Sequence, residues 1–295
     1  MVEWELQGGG SRVKSNSAGR TDIYPGLNIY QTMDYDGDHS VFQNARKVDG
    51  ISLSCRDLTK IYDVVKALDG ISFEIKRGEV FGLLGPNGAG KSTCMKIFAG
   101  LLKPSAGQAF INGIDVSRDS LGAKRMMGFL PEFPTLFDNL TGREFITMMG
   151  MMRGMTKEDV DSRIEGFTKA LALEEQMDSL LGTYSKGMRQ KISFTAAVFH
   201  KPPVLILDEP TSGLDPRFGR YIKDIVRQMK AAGTTVLMST HITMVAEDLC
   251  DRIAIIDHGR IASMGTIKDV VDSIGGNDLE EAFIGIVEGP ANGGR

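Results

Sequence analysis

Glu79-Val80-Phe81-Gly82-Leu83-Leu84 runs straight into Gly85-Pro86-Asn87-Gly88-Ala89-Gly90-Lys91-Ser92-Thr93, and this junction decides the fold. An apolar strand, a glycine-rich turn of spacing G-x-x-x-x-G-K-[ST] and a helical stretch through about Gly100 form the arrangement that cradles nucleotide phosphates. The glycines let successive N–H groups turn inward around phosphate oxygens. The helix that follows points its positive end at the same anion. Lys91 is placed to reach β- and γ-phosphates, and Ser92 to put a hydroxyl on Mg²⁺.

A second strand-to-acid junction lies downstream. Val204-Leu205-Ile206-Leu207 ends in Asp208-Glu209, where open α/β sheets bind ligands at the carboxyl ends of their strands. Asp208 is expected to hold Mg²⁺, and Glu209 to polarise an attacking water. Ser212-Gly213-Leu214-Asp215 follows, and then a third apolar strand, Val236–Ser239, with His241 just past its end. That histidine is expected to donate to the γ-phosphate.

Outward from these junctions the chain reads as α/β. Ile51–Cys55 and Ile71–Ile75 alternate as half-buried strands do, and Asn112-Gly113 is a hairpin turn after Ala109–Ile111. Val204–Leu207, Thr235–Ser239 and Ile253–Ile256 are compact apolar strands of the buried parallel type, joined by helical patterns into βαβ units. Residues 134–200 are mainly helical, with Thr141 and Glu144 spaced as a capping box and Thr156 and Asp159 marking a second start. The methionines Met148, Met149, Met151 and Met152 read as adaptable packing. Residues 1–50 are expected to be a flexible extension, 51–285 the catalytic domain, and 286–295 a polar tail.

The chain has 295 residues, 42% hydrophobic and 24% charged, with a net charge of −4. That mix excludes a disordered, collagen-like or coiled-coil chain and argues against broad nucleic-acid binding. No apolar run approaches the ~20 residues of a membrane span, and no secretory signal pattern opens the chain. Cys55, Cys94 and Cys250 fit neither zinc spacing nor a disulfide framework, and read as buried free thiols.

Leu181-Gly182-Thr183-Tyr184-Ser185-Lys186-Gly187-Met188-Arg189-Gln190 resembles the signature motif of ABC-type ATPases. With the loop at 85–93, Asp208-Glu209, Ser212–Asp215 and His241, five motifs stand in that family's order over residues 51–285. The resemblance implies a P-loop NTPase core with a mainly parallel sheet, an antiparallel β-subdomain and an inserted α-helical subdomain. It implies Mg-ATP hydrolysis by a head-to-tail dimer, in which Ser185, Lys186, Gly187 and Met188 of one copy, with Asp215, close over nucleotide held by the other. Ser185 and Gly187 also open a helical stretch to about Phe199, a second anion-binding helix start far along the chain from the first. Tyr62 resembles the family's adenine-stacking aromatic. Glu132 stands where the family usually carries a glutamine that touches Mg²⁺, and a carboxylate can also ligate that ion.

The resemblance further implies a separate integral-membrane permease as partner, a position on the cytoplasmic membrane face, and a groove over Pro134–Met155 that receives the permease's coupling helix. The Tyr184–Met188 signature variant, Glu132 and the ending Leu279-Glu280-Glu281-Ala282-Phe283-Ile284 are similar to ATPase subunits of ABC-2-type exporters. The alternative reading is a soluble ABC ATPase acting on ribosomes or DNA. The single set of motifs and the lack of a sustained heptad between Lys91 and Ser185 disfavour it.

Overall fold

The computed structural model describes residues 50–288. Residues 1–49 of the extension expected at 1–50, and the last seven residues, lie outside that span.

Two sheets form the scaffold. The first is antiparallel: β1 (Ile51–Tyr62), β2 (Val65–Lys76), β4 (Ala106–Ile111) and the two-residue β5 (Ile114–Asp115) lie in the order β2-β1-β4-β5. The second contains β3 (Val80–Leu84), β6 (Met127–Leu130), β7 (Val204–Asp208), β8 (Thr235–Thr240), β9 (Arg252–Asp257) and β10 (Arg260–Gly265), in the order β10-β9-β3-β8-β7-β6. All its neighbours are parallel except the β9–β10 hairpin at one edge.

The continuous apolar character of the central strands follows from cover on both faces. Val80, Leu205, Leu207, Val236 and Met238 pack into one core, which also takes in the inserted helices. Their sequence neighbours Phe81, Leu83, Val204, Ile206 and Leu237 pack into the other, under the antiparallel sheet. α1 (Lys91–Phe98) follows the glycine-rich loop and buries Cys94, Met95, Ile97 and Phe98 in this second core.

After the short α2 (Ser120–Arg125) and β6, the insert is built from α3 (Gly142–Met151), α4 (Lys157–Leu171) and α5 (Lys186–Val198). Its helix starts are specified locally. Glu144 N–H donates to Thr141 Oγ1 at 3.1 Å while Thr141 N–H donates to Glu144 Oε2 at 2.8 Å, the reciprocal pair read from the sequence. Thr156 Oγ1 accepts from Asp159 N–H at the start of α4. Met148 and Met149 pack against the core, whereas Met151 and Met152 are exposed. α6 (Pro216–Ala231) and α7 (Thr243–Leu249) complete the crossovers, and α8 (Ile267–Ile274) and α9 (Leu279–Glu288) end the described chain.

Two boundaries differ from the sequence reading. β1 continues past Cys55 because a bulge at Asp57, with φ of 48°, shifts the register with β2 and breaks the alternation. The tail expected from 286 begins inside α9, since Ile286 and Val287 continue its apolar face onto Val270 and Leu279.

Candidate active site

The sheet order brings three strand ends together. β3, β8 and β7 are adjacent and parallel, so the loop after Leu84, the turn after Thr240 and the acids after Leu207 converge at one carboxyl edge.

The loop's shape depends on two glycines. Gly90 has φ of 111°, and a Cβ there would lie 2.3 Å from Ala67 O on β2. A Cβ on Gly85 would lie 2.3 Å from Ile256 O on β9. Only glycine lets the loop press against both strands. Gly90 supplies no side-chain cap to α1, and the helix has no acid in its first turn. Its leading N–H groups therefore suit an anion. Pro86, Asn87, Gly88 and Ala89 form the intervening turn, with Ala89 N–H donating to Pro86 O at 3.2 Å. Ala89 O in turn accepts from Gly259 N–H at 3.0 Å, which ties the loop to the β9–β10 turn. Thr93 lies in the first turn of α1, beside Ser92.

Lys91 is buried and donates to Gly85 O at 2.7 Å and Pro86 O at 3.1 Å. Its ammonium also lies 3.4 Å from Glu209 Oε1, an ion pair between two side chains that are each 6% exposed. The pair forms no hydrogen bond, so Oε1 is a buried oxygen without a donor. The other oxygen, Glu209 Oε2, lies 3.0 Å from His241 Nδ1. A carboxylate accepts, so Nδ1 carries the proton. Glu209 thus stands between a lysine and a histidine, on a backbone with φ of 48°. The His241 turn is held by Ile242 N–H donating to Thr240 Oγ1 at 3.0 Å.

Asp208 Oδ1 accepts from Ser92 Oγ at 3.1 Å and from Ser239 Oγ at 2.6 Å. Burial pushes the Asp208 carboxyl above its usual range, and those two hydroxyls pull it back in part. Glu132, in the loop after β6, joins this group. Partial burial raises its carboxyl, the negative Asp208 and Glu209 add to the rise, and Lys91 and His241 oppose it. The hard oxygens of Ser92, Asp208 and Glu132 suit Mg²⁺. Glu209 Oε1 suits a water or substrate proton.

Other expected site residues lie outside this knot. Tyr62 ends β1 and pairs with Val65, at the hairpin end whose Ala67 borders Gly90. It is 44% exposed, with Lys60 Nζ 5.2 Å from its ring centroid. Ser185 caps α5 by accepting from Met188 N–H at 3.3 Å, with Lys186 and Gly187 exposed beside it. Tyr184 is buried and donates to Gln176 O at 2.5 Å, and Arg189 pairs with Asp138 at 2.6 Å. Asp215 caps α6, with Oδ1 accepting from Phe218 N–H at 2.9 Å. Among the described residues, no hydrogen bond or ion pair of Ser185–Met188 or Asp215 reaches the loop at 85–93.

The sequence reading gave no role to Ser239 or Thr240. The signal was present: two polar residues end a fully buried strand whose interior is valine, leucine and methionine.

The ABC transporter family model matches residues 68–212, from β2 through the Asp208-Glu209 junction. The daunorubicin/doxorubicin resistance ATP-binding protein DrrA of Streptomyces peucetius is 40% identical over 75% of this chain and 67% of its own. This chain belongs to the ABC transporter family. A solved ATP-binding subunit of an ABC transporter superposes with a TM-score of 0.76 at 33% identity, over 80% of this chain and 99% of that one. A dimeric ATP-binding cassette in a post-hydrolysis state, bound to ADP and Pi, superposes with a TM-score of 0.66 at 26% identity, over 72% and 98%. The fold is therefore the family's P-loop NTPase core, with its antiparallel β-subdomain and helical insert. The chain is a nucleotide-binding ABC ATPase, of a family whose ATP-binding subunits act as dimers with membrane permeases. Among the described residues no helix is long and apolar enough to cross a membrane.

Proposed function

We propose that this ATPase is the motor subunit of an ABC-type exporter, and that ATP closes two copies head to tail. The observation that carries the reading is the separation of two phosphate-binding elements within one subunit. The loop at 85–93 is knotted to Asp208, Glu209 and His241, while the Ser185–Met188 helix start has no bond to it. A two-fold pairing lets each element of one copy complete a pocket on the other.

Lys91 and the loop N–H groups neutralise the phosphates, and Tyr62 stacks on the base. Glu209 takes a proton from the attacking water through Oε1, while His241 holds Oε2 and turns toward the γ-phosphate. Ser185, Lys186, Gly187, Met188 and Asp215 face the partner's nucleotide. Ser92, Asp208 and Glu132 are the residues that would hold Mg²⁺. When bound, Mg²⁺ supplies positive charge against the β- and γ-phosphate oxygens.

Two features support a membrane-bound, exporting assembly. Phe133 is 71% and Phe137 56% exposed at the start of the insert, and Met152 is 70% exposed at the end of α3, apolar surface over the stretch expected to receive a permease helix. DrrA, the drug-resistance relative, matches across most of the chain. The relatives and structures reported are named as ATP-binding proteins of transporters or cassettes, and none is named for ribosomes or DNA. Glu209→Gln tests the assignment: turnover falls by about 10²-fold or more, while ATP traps a dimer. Near-normal turnover in that variant would remove Glu209 from the role.

A further inference from the structure

We propose that Ser239 is a positioning residue for hydrolysis, its single hydroxyl fixing both the Asp208 carboxylate and the backbone of Glu209. The proposal rests on the reading that Glu209 handles water and Asp208 holds Mg²⁺.

The register of β7 and β8 pairs Asp208 with Ser239, so their side chains stand side by side on one face. Ser239 is 0% exposed. Its hydroxyl has one proton and two lone pairs. The proton goes to Asp208 Oδ1 at 2.6 Å, and a lone pair accepts Glu209 N–H at 2.9 Å. Glu209 lies just beyond β7, where the ladder no longer serves its N–H, and it adopts φ of 48°, a conformation disfavoured for residues with a Cβ. A buried N–H of this kind needs a partner. Ser239 provides it and holds the backbone in the turn that aims Oε1 at Lys91 and Oε2 at His241. The same atom, with Ser92, limits the Asp208 carboxylate to one orientation. Alanine or valine at this position would keep the strand but take one donor from Asp208 and the acceptor from Glu209 N–H.

The test compares full-length wild type with Ser239→Ala and Ser239→Thr. Steady-state Mg-ATPase kinetics are measured with ATP affinity and thermal melting, and Glu209→Gln serves as the control. With Ser239→Ala, kcat falls by more than about fivefold while ATP affinity stays within about twofold, because the loss falls on the chemical step. Ser239→Thr, which retains the hydroxyl, restores kcat to within about threefold of wild type. If Ser239→Ala does not fold, Ser239→Cys takes its place under the same criteria, since a thiol fills the space with a weaker hydrogen bond. A smaller fall in kcat, or an equal fall in Ser239→Thr, overturns the proposal. Unimpaired turnover in Glu209→Gln would instead overturn the reading beneath it.

Discussion

Gly187→Ala separates what a subunit needs from what a closed pair needs. Gly187 lies in the first turn of α5, its φ is not in the positive range, and a Cβ there meets nothing within 4 Å. Nothing inside the subunit requires glycine. Glycine in a helix is less stable than alanine by about 0.5–1 kcal/mol, so the substitution stabilises the isolated subunit by that amount. For a domain of this size the melting temperature rises by about 1–4 °C. Gly90 is the opposite case, since its Cβ would strike Ala67 O within its own chain. If the partner's phosphate approaches Gly187 N–H in the closed pair, the added methyl blocks that approach. Turnover then falls by about 10²-fold, comparable to the loss of one oxyanion-hole donor. The assay is Mg-ATPase rate, with melting followed by circular dichroism on the same preparation. A variant that melts higher and still hydrolyses at the wild-type rate would show that Gly187 does not face a partner's phosphate. One that loses activity only because it unfolds would contradict the expected gain in stability.

Asp208→Asn is expected to abolish Mg-dependent hydrolysis without destabilising the ligand-free subunit at neutral pH. Burial holds the Asp208 carboxyl above its unfolded value of 3.8, so the folded form binds the proton more tightly. Its contribution is then most favourable below that value and is lost as pH rises through the raised one, each unit being worth about 1.4 kcal/mol. Urea denaturation between pH 4 and 7 should show the wild type losing ground to Asp208→Asn as pH increases, and a wild type that gains on Asp208→Asn with rising pH would contradict this. Tyr62→Ala is expected to weaken ATP about tenfold, in line with the stacking of one base, with GTP affected equally and kcat at saturation nearly kept. Fluorescent-nucleotide titration checks it, and unchanged affinity would remove Tyr62 from the site.

What the sequence revealed was local. The glycine-rich loop depends on spacing within nine consecutive residues, Gly85–Thr93, and the Thr141–Glu144 and Thr156–Asp159 caps on side chains three residues apart. Central strands such as Val204–Asp208 stood out because burial on both faces leaves only apolar residues over Val204–Leu207. Features set by pairing across the sheet were hidden. β6 is a four-residue strand recognisable only by its alignment with β7. The extent of β1 depends on a bulge that lies against Gly107 on β4, where any Cβ would strike Asp57 O. The carboxylates were legible one by one. Their convergence with Lys91 and His241 was expected from the motifs, but the bonds among them were not legible, because they depend on the order β3-β8-β7. Ser239 escaped notice for the same reason, as a lone serine at a strand end means little until Asp208 is opposite it. Asp215 was read as a nucleotide contact, and within the subunit its carboxylate caps α6.

Ser185→Arg, followed by light scattering and ATPase rate in one sample during turnover, tests most directly whether each subunit carries only half of a working pocket. Ser185 bonds to nothing in its own loop site, so arginine there leaves Lys91, Asp208, Glu209 and His241 untouched. The expected particle binds ATP, keeps the mass of one chain and does not turn over. A monomer hydrolysing ATP at the wild-type rate would contradict it.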